Sequence, residues 1–114
     1  MIKQKDITSD INWLPGNNWF VFTFFMIIII LVAHALALFS HEYAHSFTAW
    51  LLGWKTNPLA LNYGELTPIN ILAQIQIDEN VGYDPIFAGG HGWQAAMISA
   101  AGMLIGNGFI MVLP

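Results

Sequence analysis

No cysteine occurs in the 114 residues. A disulfide framework, a thiolate metal site and a cysteine nucleophile are therefore excluded. Charge is nearly as scarce: three basic and seven acidic side chains make up 9% of the chain, where a soluble domain carries roughly a quarter. With no basic patch and a formal net charge of −4, nucleic acid is excluded as a partner. The chain is instead 56% hydrophobic and 14% aromatic, with a positive mean hydropathy. So few polar groups cannot cover a surface, and the lipid bilayer or other membrane subunits must do so. The length allows one domain. Lys3 and Lys5 imitate the start of a signal peptide, but the apolar run begins only near Trp19 and outlasts an ordinary h-region, so a retained membrane helix is expected.

The chain divides into four segments. Residues 1–18 read as a polar tail closed by a turn at Pro15 and Gly16, with Asn17 or Asn18 able to cap a helix beginning at Trp19. Residues 19–54 form a long apolar helix, in which Glu42 alone is charged whatever the state of the histidines. As one piece it would measure about 50 Å against roughly 30 Å of hydrocarbon, so it must tilt, break or project. If Trp19 marks an interface, residues 41–45 reach the far headgroup layer; if Trp50 and Trp54 do, they lie inside the bilayer. In residues 55–92, INILAQIQI alternates in period two, which predicts a strand paired with LALNY in a short β-hairpin, and a glycine-rich loop after it. Residues 93–114 carry no charge and predict a second transmembrane helix, whose Ala95, Ser99, Gly102, Gly106 and Gly108 suit close packing. The expected fold is a mainly α membrane protein, with two transmembrane helices joined by that hairpin and loop. Both termini would then share a side, cytoplasmic by the weak lysine bias.

The segment FSHEYAHSF carries the chemistry. Residues four apart share a helix face, so His41 and His45 can present ring nitrogens to one metal ion while Glu42 reaches a water beside it. This is the geometry of the H-E-x-x-H zinc peptidases. The donors suit zinc without excluding iron or nickel. An acid in an apolar helix carries a desolvation cost that a cation offsets; the competing reading is a buried polar cluster without metal. His34, 7 residues before His41, is too far along the helix axis to join the same ion. It is read as bonding a neighbouring carbonyl, with an axial haem or chlorophyll ligand as the minor alternative. His91 is read as a surface histidine.

The string FSHEYAHSFTAWLLGW resembles the active-site helix of the site-2 protease family of membrane-embedded zinc metallopeptidases, with His41, Glu42, His45, Ala49 and Gly53 at matching positions. MISAAGMLIGNG resembles that family's alanine-glycine helix through Ala100, Ala101, Gly102 and Asn107. Met103 stands where proline is usual, and Asn107 falls one place late. The resemblance implies Zn2+ on His41 and His45, Glu42 as catalytic base, and a peptide substrate cut within or beside the bilayer. It also implies an aspartate ligand from a later helix, which the sequence to Pro114 does not contain. A longer chain, another subunit supplying the third ligand, or a non-catalytic protease-like accessory subunit of a larger complex would each account for that. Asp78, Glu79, Asp84 and His91 are the loop residues able to ligate.

Overall fold

A computed structural model describes residues 18–112 of the chain. The tail and turn expected before Asn18 lie outside the described residues. The chain divides into two compact units, Met1–Ile30 and Leu31–Pro114. Helix α1, Trp19–Leu51, begins in the first and ends in the second. The carbonyl of Asn18 accepts the Phe22 amide at 2.8 Å, which puts Asn18 at the cap. Thirty-three residues without proline or glycine let the helix run unbroken. It is long and apolar enough to cross a membrane, and the side chains from Trp19 to Ile30 are all exposed. A membrane protein of at least one candidate span is the reading that composition and this helix support.

The end of α1 is dictated by Gly53, whose φ of +84° only glycine adopts cheaply. Its amide bonds Trp50 O at 3.0 Å, and the Trp54 amide bonds Ala49 O at 2.9 Å. That pair of bonds is the Schellman closure, which satisfies carbonyls the helix leaves free. Trp54 then folds back toward Ala49, and its indole donates to Gln94 Oε1 at 2.5 Å.

The β-hairpin is absent: the described residues contain no strand, only one antiparallel bridge between Asn62 and Asp78. The alternating segment instead opens with helix α2, Pro68–Ala73. Thr67 caps it by accepting the Asn70 amide at 3.2 Å, and Pro68 occupies the first turn. A capping threonine with proline next to it is a helix start, and this local chemistry overrode the period-two pattern. Gln74, left-handed at φ 57°, stops the helix after six residues. Buried Asn70 donates to the carbonyls of Tyr63 and Glu65, each at 2.8 Å, and accepts from the Gln76 amide at 2.9 Å. One side chain thus does the tying that a hairpin ladder would have done.

Helix α3, Tyr83–Ala88, rises from the glycine-rich segment, and α4, Gly92–Ala101, comes next. A π-helical turn, Gly102–Asn107, joins α4 to α5, Gly108–Val112. The expectation of two transmembrane helices is therefore corrected. Among the described residues one helix qualifies, because the π turn divides the second apolar stretch into short pieces. The inference that both termini share a side loses its premise with it. Ala49, Ile86, Ala95 and Ile98 form the core where α1, α3 and α4 meet, flanked by Leu52, Trp54, Val81 and Tyr83. Burial of Ile86 and Ile98 contributes about 1.5–3 kcal/mol each.

Candidate metal centre

The structure brings together what the helical spacing predicts. Glu42 and His45 are both buried, and the rings of His41 and His45 lie 4.6 Å apart, nearly perpendicular at 84°. His45 Nδ1 donates to the carbonyl of Ile98 at 2.5 Å. A carbonyl can only accept, so Nδ1 is the donor here, and in the neutral ring Nε2 is the acceptor. His41 Nδ1 faces Asn107 Oδ1 at 3.3 Å, and a neutral ring donating to that oxygen has Nε2 as its acceptor. Anchoring one ring nitrogen of a histidine so that the other is free for a cation is how metal sites fix their ligands.

The two Nε2 atoms converge beside Gly102. A Cβ built on that glycine would lie 2.6 Å from His41 Nε2 and closer still to His45 Nε2. Any larger residue at 102 would fill the gap between the imidazoles, so glycine keeps it open. Gly106, one turn on, brings the two backbones into contact: a Cβ there would meet Ser40 O at 2.5 Å and His41 Cα at 2.7 Å. The two glycines seat the π turn directly on the histidine helix. The donor set, the converging Nε2 atoms and the space at Gly102 fit a zinc ion on two ligands. Among the described residues no three His, Cys, Asp or Glu side chains converge as a ready-made shell.

Two clefts flank the histidines. One is lined by His34, Ala37, Leu38, His41, Glu42 and Asn107. The other is lined by His45, Glu79, Tyr83, Phe87 and Ser99. Glu79 Oε1 accepts the Tyr83 hydroxyl at 2.6 Å. Burial would raise the Glu79 carboxyl, but hydrogen bonds from Tyr83 and its own main chain, with the neighbouring His45 and Glu42, hold it below the usual range. Burial and the same contact push the Tyr83 hydroxyl up. Lys55 donates to the carbonyls of Ala60 and Glu79, and its burial pulls the ammonium down against the opposing pull of Glu79 and Asp78.

The remaining sequence candidates are engaged by other partners or exposed. His34 Nε2 donates to the carbonyl of Ala73 at 2.8 Å, a structural bond to the end of α2. His91 is exposed at the start of α4, its ring 5.7 Å from that of Trp54. Asp78 is engaged by Asn62 Nδ2 at 3.0 Å and by the Asn80 amide at 2.8 Å, and Asp84 is exposed in the first turn of α3. Tyr83 was not singled out by sequence reasoning, because its partner Glu79 is local but their common approach to His45 is not. Compared with known proteins, the chain matches no family model, no curated protein and no solved structure.

Proposed function

We propose that the chain is a zinc-dependent metalloendopeptidase of site-2 protease type, or the part of one that carries the two histidines. The observation that carries this reading is the convergence of two histidine Nε2 atoms beside Gly102, next to a buried glutamate. Zinc, when bound, supplies Lewis acidity toward a water and a peptide carbonyl. His41 and His45 would hold it, with Ile98 and Asn107 fixing their ring orientations. Glu42 takes a proton from the water that adds to the peptide carbon, and returns it to the departing amine as the C–N bond breaks. The π turn also supports the family likeness: a π bulge accommodates an additional residue, so Asn107, one place late in the motif, still faces His41.

The test is cleavage of a membrane-tethered peptide by the full chain in lipid, wild type against Glu42→Gln. Loss of cleavage with zinc retained supports the reading, and equal cleavage removes it. The lack of three converging ligands among the described residues favours a second reading, a protease-like accessory subunit. That subunit would bind its partners equally well with Glu42→Gln and would cut nothing alone.

A further inference from the structure

The segment that the Asn62–Asp78 bridge encloses is closed on itself. Its base is fixed by the two bridge amides, each 3.0 Å from the opposite carbonyl, and by Asn62 Nδ2 donating to Asp78 Oδ2 at 3.0 Å. Inside it, buried Asn70 bonds the Tyr63 and Glu65 carbonyls and the Gln76 amide, and Gln76 Oε1 accepts the Glu65 amide at 2.7 Å. Gly64, at φ 68°, makes the turn where the chain leaves the bridge. Every large apolar side chain from Leu66 to Ile75 is exposed, and Asn70, the buried residue of α2, makes its bonds within the loop. Residues 64–76 therefore hold their own shape and add nothing to the core of Ala49, Ile86, Ala95 and Ile98. Such a unit can move as one piece without uncovering buried apolar surface.

The far end of the loop is held to α1 by one side chain. Among the described residues, the bond from His34 Nε2 to the Ala73 carbonyl, at 2.8 Å, is the hydrogen bond that ties residues 64–76 to that helix. Tyr63, outside them at the foot of the loop, meets Tyr43 through its hydroxyl. Directly after Ala73, Gln74 Oε1 is buried with no donor in reach among the described residues. One hydrogen bond has a modest net worth, whereas a buried acceptor left without a partner costs as much or more. The docked position is thus weakly held, and lifting would return that oxygen to water. His34 also lines one end of the cleft that follows α1 to His41 and Glu42. The seven residues from His34 to His41 cover about 10 Å of helix, the length of about three residues of extended peptide. A peptide lying in the cleft with a carbonyl at the histidines therefore meets the docked end of the loop. We propose that residues 64–76 form a flap, hinged at the Asn62–Asp78 bridge and latched by His34, which lifts to admit an extended peptide to this cleft. That peptide is the substrate of the reading above, on which this use of the flap rests.

The absence of native cysteine allows paired spin labels to report the flap without background. Ile71→Cys on the flap and Leu51→Cys on α1, both at exposed positions, are labelled in the full chain in lipid nanodiscs. Their distance distribution is read by pulsed electron paramagnetic resonance, with helical circular dichroism recorded alongside. Docked and lifted positions should appear as two distances. His34→Phe should raise the lifted-to-docked ratio about 2–10-fold, the range set by the net worth of one hydrogen bond. Gln74→Leu, which keeps the size of the side chain and removes the orphaned oxygen, should lower that ratio. If His34→Phe loses its helical signal, Gln74→Leu decides alone. A ratio that either folded variant leaves unmoved overturns the flap, with the peptidase reading untouched. A flap that answers to both, in a chain whose Glu42→Gln variant cleaves like wild type, survives while its use for a peptide substrate is overturned.

Discussion

At the residue scale the site depends on a few atoms around Gly102. Gly102→Ala should abolish zinc binding, since its Cβ would stand between the two Nε2 atoms; dye competition reads this directly. Asn107→Ala frees the ring of His41 and should weaken zinc about 10–100-fold. Ile98 cannot be tested in this way, because it orients His45 through a main-chain carbonyl that any residue would carry. Glu42→Gln removes only the proton acceptor, so turnover should fall by about 10²–10⁴-fold with metal retained. His41, Glu42 and His45 were legible in the sequence because they are local: one helical turn places them together whatever the rest of the chain does. Glu79 and Tyr83 were not, because their approach to His45 depends on how a loop is folded back.

At the scale of elements, glycines and one asparagine decide how the pieces end and meet. Gly53→Ala meets no neighbour within 4 Å, so its cost is backbone alone, about 1–2 kcal/mol for a left-handed residue with a Cβ. Thermal unfolding in detergent should show that loss with zinc binding kept. Gly106→Ala should do more harm, because the atoms it meets are the backbone of Ser40 and His41 and cannot yield as a side chain would. Helix α1 was legible from its unbroken apolar run, and its end from Gly53. The hairpin was misread because alternation alone does not specify a strand; Thr67, Pro68 and buried Asn70 supply stronger local bonds than a two-stranded ladder could. The π turn left no pattern that composition could reveal, since it arises where Gly102 and Gly106 press against α1.

For the whole molecule, the scarcity of charge and the exposed apolar length of α1 place the chain with membranes in composition, while the buried residues gather around α1, α3 and α4. The wild-type chain should remain in the membrane pellet after alkaline carbonate extraction, and replacing Ile28, Ile29 and Ile30 by lysine should release it. The polar centre sits where α1 meets the π turn, so its chemistry and its fold depend on the same contacts. The most direct measurement is the metal content of the intact protein purified in lipid without chelators, alongside the His41→Ala, His45→Ala double variant. One zinc per wild-type chain and none in the variant is the expected result. A wild type that emerges metal-free and takes up no added zinc, although correctly folded, would contradict it.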